Sequence, residues 1–418
     1  MRNSRYALPM IAALLMLCAG FSSARAQAVT SDGDHLRVAL ITAAPGAIYW
    51  ERFGHNAILI EDTVSGDSRM YNFGWFDFEQ ENFILNFVRG RMLYLLADTD
   101  PAHDLAGYRA EGRSVWMQEL NLDNAQKLAL AQKLAHNALP ENAEYRYDYY
   151  RDNCSTRVRD VLDEVIGGAL QQQSVGRGRG ETYRSLSLAY ARPISWLALG
   201  IHLGLGPAAD RRINFWEEAF LPLRLRDLVN ELQIADGAGN TRPLVSAQRT
   251  LFAAPLDDHI PEQPRWFWRF LMLGITLSAL VILGLSNRNR LLRTAAAAVS
   301  AIGALMIGLI GLGLIGLWLG TDHEIAWRNA NIGLFNPLYL VLALPLWRLR
   351  NPQSFTRTAA RSIGIVALIG GLALLASALL KLNGQAQADW MALMLPWQLL
   401  ICWLLSNNSP HKAASLNP

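Results

Sequence analysis

Residues 147–163 read YDYYRDNCSTRVRDVLD. Downstream of Cys154, residues Val158, Val161, Leu162, Val165 and Ile166 recur at the spacing of one helix face. The polar run Asp152-Asn153-Cys154-Ser155-Thr156 reads as the helix start, and Gly167-Gly168 as its end. A thiol there meets unpaired backbone N–H groups and the positive end of the helix dipole. Both favour a thiolate, and the same N–H groups can hold an oxyanion during acyl transfer. The chain has three cysteines, of which Cys18 falls in an N-terminal apolar run and Cys402 in a C-terminal one. Cys154 is therefore the one thiol placed for chemistry. A lone cysteine is otherwise a small buried hydrophobe, but this polar setting argues against that.

Working upstream, a cysteine nucleophile needs a base, usually histidine. Phe53-Gly54-His55-Asn56-Ala57-Ile58-Leu59-Ile60 reads as a buried strand, Ser65-Gly66-Asp67-Ser68 as a turn, and Met70–Phe76 as the return strand. An imidazole among aliphatic strand residues has to be hydrogen-bonded or functional, so His55 is the candidate base. His35, His103, His136, His202 and His259 stand in polar, helical or linker settings. Asp77, just beyond the return strand, is the leading candidate to orient the imidazole, with Asn72 and Asn56 as alternatives. Further strands are expected near Leu36–Thr42 and Ser114–Leu120, and helices at Phe83–Leu95 and Asn124–Asn137, the second capped by Asp123. Gln171–Gly180 reads as a mobile loop and Pro255–Pro264 as a linker.

Working downstream, the composition changes. Over the 418 residues 51% are apolar and 17% charged, below the ~25% charged of soluble domains. Residues 27–265 carry 24 Lys/Arg against 32 Asp/Glu, while residues 266–405 carry 10 against 3. A nucleic-acid binder concentrates positive charge on its soluble part, so that class is excluded. Trp266–Ser286, Ala295–Gly320, Ile332–Leu349, Ile363–Leu382 and Trp390–Leu405 are five apolar segments, most near the ~20 residues of a membrane span. Pro337 and Pro345 interrupt the third. Arg288, Arg290 and Arg293 follow the first, and Arg348, Arg350, Arg357 and Arg361 follow the third. The positive-inside rule puts those loops in the cytoplasm. At the other end, Arg2 and Arg5 precede the apolar Tyr6–Phe21, and Ala24-Arg25-Ala26 closes a secretory signal. The expected organisation is a signal peptide (1–26), a periplasmic domain (27–265), a bundle of about five membrane helices (266–405) and a cytoplasmic tail (406–418).

No paired Cys/His spacing, HExxH, GxSxG, Walker or dinucleotide motif is present, so neither metal nor cofactor is expected. The order of strand histidine, hairpin and helix-opening cysteine resembles the circularly permuted papain-like (NlpC/P60-type) fold. The class is then α+β, followed by an all-α membrane bundle. FGHNAI (53–58), YNFGWFDF (71–78), NFILNFVRGRMLYLLA (82–97), YDYYRDNCSTRVRDVLD (147–163), LGIHLGLGPAAD (199–210), FLPLRLRDLV (220–229) and TDHEIAWRNANIGLFNPL (321–338) resemble the Lnb family.

That resemblance implies lipoprotein N-acylation: an acyl chain passes from a membrane phospholipid to the α-amine of a lipoprotein's lipidated N-terminal cysteine. It implies Cys154 as the nucleophile and His55 as its base; the third member is left to the reading of the hairpin, which offers Asp77 first and Asn72 or Asn56 as alternatives. Asn72, Asn153, Arg157 and His323 are expected substrate contacts, the donor a phospholipid, the acceptor a lipoprotein, and the location a bacterial inner membrane. Arg157 and Arg159 face either a lipid phosphate or solvent beside Asp160 and Asp163; Arg89 and Arg91 are placed alike. Trp196–Gly206 either touches the membrane or forms a buried helix. The competing functions are a cell-envelope cysteine amidase or peptidase and a non-catalytic envelope assembly protein.

Overall fold

A computed structural model describes residues 33–76, 79–235, 240–254, 262–351, 356–380 and 384–407. The expected signal peptide, Asp77, most of the linker and nearly all of the tail lie outside them.

The N-terminal half is built on a seven-stranded sheet, antiparallel throughout, in the order β6-β4-β3-β2-β1-β5-β9. Its strands are β1 (Leu36–Ala43), β2 (His55–Asp62), β3 (Ser68–Trp75), β4 (Leu93–Thr99), β5 (Val115–Leu120), β6 (Glu144–Arg146) and β9 (Val245–Phe252), while β7 (Gln233–Ala235) and β8 (Thr241–Pro243) form a small separate pair. The helices of this half are α1 (Phe83–Arg89), α2 (Pro101–Ala110), α3 (Asn124–Asn137), α4 (Cys154–Val165), α5 (Ala169–Ser174), α6 (Tyr183–Ala191), α7 (Ser195–Gly204), α8 (Phe215–Glu218) and α9 (Pro222–Glu231).

Side-chain alternation splits the sheet into two faces. Leu36, Val38, Leu40, Ile58, Ile60, Tyr71 and Phe73 form the main core with α3, α4 and α9. Ile41, Ala43, Ala57, Met70 and Val115 form a thinner layer on the opposite face, covered by Leu105 and Tyr108 of α2. Asp123 caps α3 in a full capping box, as its sequence predicts.

Two expectations are corrected. The helix expected at Phe83–Leu95 stops at Arg89, where Gly90 takes a left-handed φ of 72°. Leu93–Thr99 then pairs with β3, because tertiary pairing outweighs the apolar periodicity. The segment expected as a loop, Gln171–Gly180, begins in helix α5, whose first N–H groups are satisfied by the Asp163 carboxylate.

Four helices among the described residues are long and apolar enough to cross a membrane: α10 (Phe267–Ser286), α11 (Arg290–Gly320), α14 (Arg357–Leu380) and α15 (Ala388–Asn407). The third expected span is broken into α12 (Asn331–Leu334), a 3-10 stretch (Pro337–Leu342) and α13 (Ala343–Arg348). Pro337 cannot donate to a helical ladder and disfavours helix at the residue before it. The broken segment still runs antiparallel along α11, with Phe335 against Gly311 and Leu340 against Gly308. A Cβ at Gly311 would land 1.9 Å from the Phe335 carbonyl oxygen, so Gly308 and Gly311 serve close approach, while Gly313 and Gly316 meet nothing among the described residues.

Candidate functional site

Asn153 sets up the start of α4. Its Oδ1 accepts from the Ser155 and Thr156 N–H groups, both at 2.9 Å, and Thr156 Oγ1 accepts from the Asn153 N–H at 2.8 Å. The Asn153 Nδ2 donates to the Tyr149 and Phe220 carbonyls, each at 2.9 Å. Both halves of this amide are thus consumed inside the protein. A buried rivet then ties α4 to β2. Ser155 Oγ donates toward Asn56 Oδ1 (2.8 Å), with the Ala219 carbonyl at 2.7 Å, and Asn56 Nδ2 donates to Thr42 Oγ1 (2.8 Å).

This attachment brings the half-buried Cys154 thiol to the end of the sheet where β2 begins. The backbone N–H of Asn56, the residue after His55, points at the sulfur, as do the N–H groups of Ser155 and Cys154 itself. Across the gap, β3 bulges between Phe73 and Trp75. At the bulge Gly74 adopts φ 92°, and a Cβ there would lie 3.4 Å from the Cys154 Cβ. Glycine is needed there for the backbone conformation, and it brings β3 into contact distance of the thiol-bearing residue. Desolvation pushes the thiol pKa up, more than the N–H groups and the nearby Arg113 pull it down. Burial therefore works against the thiolate that the helix start favours.

His55 opens β2 on the α2-covered face, and its Nε2 lies 3.0 Å from Asn72 Oδ1. Asn72 is buried on β3, and its Nδ2 donates to Thr99 Oγ1 and to Asp104 Oδ2, both at 2.8 Å. Thr99 Oγ1 in turn lies 2.5 Å from Asp104 Oδ2. A carboxylate only accepts, so the Asn72 amide must turn its NH2 to Asp104 and its oxygen to His55. Nε2 of His55 therefore carries the proton, and Nδ1 is left as the basic nitrogen. Desolvation lowers the imidazole pKa to about 4; the Asn72 bond and Asp104 oppose this, and Arg113 adds to it. The imidazole is neutral near pH 7 and able to accept a proton.

Arg113 is the charge shared by both groups. It is buried, with Nε donating to the Ala44 carbonyl at 2.7 Å, Nη1 3.0 Å from Glu111, and its guanidinium 5.0 Å from the ring centre of Tyr108. Tyr108 also faces His55, at 6.4 Å between ring centres.

Of the other expected site residues, Arg157 is ion-paired with Asp152 and lies 4.2 Å over the Tyr145 ring. Arg159 pairs with Asp160 at 2.7 Å and covers Trp216. Asp77 lies outside the described residues. His323, just beyond α11, stacks on Tyr149 at 6.1 Å, and its Nε2 lies 3.1 Å from the Phe87 carbonyl oxygen. Thr99, Asp104, Tyr108 and Arg113 were not singled out by sequence reasoning. The signal for Asp104 was present in Asp100-Pro101, a cap followed by a first-turn proline, which starts α2 and puts Asp104 one turn in.

The half carrying this site is clamped to the bundle. Asp322 accepts from Arg91 (2.8 Å) and Arg146 (2.6 Å), and Arg151 reaches Glu324 at 2.8 Å. Asn329 Nδ2 donates to the carbonyls of Leu203, Gly204 and Leu205 at 2.8–3.1 Å, and Gln385 holds Asn329 at 2.8 Å. His202 lies 3.1 Å from Asp389 and 5.2 Å from the Trp390 ring.

Fold and site together define a class: an α+β domain with a strand-opening histidine and a helix-opening cysteine at one end of its sheet, seated on a bundle of membrane-length helices. Residues 23–189 match the family model described as the Lnb N-terminal periplasmic domain, and residues 262–380 match the Lnb transmembrane domain. The chain belongs to the Lnb family, a membrane protein with a periplasmic N-terminal part. No curated protein and no solved structure matches it.

Proposed function

We propose that this protein moves an acyl chain from a membrane phospholipid to the N-terminal α-amine of bacterial lipoproteins, by way of a thioester on Cys154, and that it does so in the inner membrane. The observation that carries this reading is the pairing of the Cys154 thiol with the Asn56 N–H next to His55, while Asn72 and Asp104 fix the imidazole. The clamp to the bundle supports a substrate held in the bilayer over a soluble peptide. The family membership is compatible with an enzyme.

In the first half-reaction Nδ1 of His55 takes the thiol proton as sulfur attacks the ester carbonyl. The carbonyl oxygen gains charge opposite the Asn56 and Cys154 N–H groups. The C–O bond breaks, the proton passes to the leaving oxygen, and lysophospholipid departs. In the second half the lipoprotein amine attacks the thioester, the C–S bond breaks, and the amine's proton returns to sulfur through His55. The permuted papain-like reading of the domain fits this order of groups.

The test is mass spectrometry of a lipoprotein's N-terminal peptide from a strain lacking other N-acylating enzymes. Cys154→Ser is expected to abolish the N-acyl mass. Full acylation by that variant would overturn the proposal.

A further inference from the structure

Helix α1 is out of place for a water-facing element. It reads FILNFVR, none of its residues is buried, and Ile84, Leu85, Phe87 and Val88 are all exposed, Ile84 to 76%. Ile84, Leu85 and Val88 make one stripe along it. A patch of that kind on a soluble surface marks a binding face.

Its position says what the face meets. The Asp322 N–H donates to the Arg89 carbonyl at 2.8 Å, His323 reaches the Phe87 carbonyl, and Gly90 packs against the backbone of both loop residues. Asp322 comes three residues after Leu319, a 75%-exposed apolar residue at the end of the membrane-length helix α11. Three residues span at most about 11 Å, and the headgroup zone is about 5–7 Å deep on each side. The C-terminal end of α1 is thereby held within about 11 Å of the end of a membrane-length helix. Arg89, exposed in its last turn, suits anionic headgroups.

A second element repeats the pattern. On α7, Leu199 and Leu203 pack against the core of the bundle. Trp196 stands one turn earlier on the same helix face and is 64% exposed. It touches Tyr49, in the loop that leads into His55, at 5.7 Å between rings. The face that meets the bundle at Leu199 and Leu203 thus runs past it at Trp196, to where lipid surrounds the helices.

We infer that α1 and the Trp196 end of α7 are embedded in the periplasmic leaflet of the bilayer that the bundle spans, so that lipid is the partner of these two faces. This goes beyond the acyl-transfer reading and stands without it.

The experiment uses the full chain in proteoliposomes, with Cys18, Cys154 and Cys402 replaced by serine and a spin label placed by Ile84→Cys, Val88→Cys or, as control, Val64→Cys. Val64 is 84% exposed on the β2–β3 turn, away from the bundle. Collision with oxygen is compared with collision with a water-soluble nickel chelate. Labels at 84 and 88 are expected to favour oxygen and to be shielded from nickel, and the label at 64 the reverse. Nickel accessibility at 84 and 88 equal to that at 64 would overturn the inference. Because the reactive thiol is absent throughout, failure of the acyl-transfer reading leaves this result untouched.

Discussion

The thiol end of the sheet and the seam to the bundle hold their parts by opposite means. At the thiol end, neutral groups do the positioning: the Asn153 and Asn56 amides, the Ser155 and Thr99 hydroxyls, and backbone N–H groups, with the Asp104 carboxylate behind them. At the seam, exposed ion pairs at Asp322 and Glu324 surround buried amides that grip backbone carbonyls. Short buried hydrogen bonds restrict geometry, whereas exposed ion pairs contribute adhesion that salt weakens. The difference teaches that chemistry and attachment can be perturbed separately.

The largest effect tests the thiol end. His55→Ala is expected to lower N-acylation by at least roughly 10³-fold, measured on purified protein in proteoliposomes at a temperature where the variant is still folded. The pH profile sharpens the same point. Because the imidazole is held at about 4 instead of 6.5, activity should persist well below pH 6 and fall only near pH 4. The sign for stability follows from the depressed value: the unfolded chain binds the proton first as pH falls. The contribution of His55 is therefore complete above pH 6.5 and lost progressively down to about 4. Next, Asp104→Asn should reduce kcat by roughly 10–100-fold with little change in KM. An amide at 104 can donate as well as accept, so Asn72 is free to turn over and the His55 tautomer is no longer enforced. Equal loss in kcat and stability would mean that Asp104 only supports packing.

The smaller effects test the seam. Asn329→Ala removes the donor shared by three carbonyls, of which Leu203 keeps Asn331 and Leu205 keeps Gln385, and should cost about 1–3 kcal/mol in chemical unfolding. The reactivity of Cys154 toward a maleimide should stay unchanged, and a parallel loss of thiol reactivity would break the separation of site from seam. Arg151→Ala removes an exposed pair and should cost at most about 1 kcal/mol, vanishing in high salt.

How much of this was legible in sequence depends on range. Cys154 at a helix start, His55 at a strand start, the hairpin between them and the Asp123 cap follow from local patterns, which a single chain displays. The upward push on the thiol pKa did not, because desolvation is set by tertiary packing, which local pattern does not display. Thr99 is hidden because the apolar spacing extends the helix through Leu95 and removes β4, whereas Asp104 has its helix signal in Asp100-Pro101 but no local sign of its reach to Asn72. The broken third segment was half legible: its prolines were visible, but not its closeness to the glycines of α11.

One consequence of the seam concerns how any bilayer-held molecule finds the thiol. Held at Asp322, Asn329 and Gln385, the domain keeps Cys154 at one height over the bilayer. Encounter is then a search in two dimensions. Its rate follows the number of molecules per unit area of membrane instead of their concentration in the surrounding volume, and dilution of the vesicles leaves it unchanged.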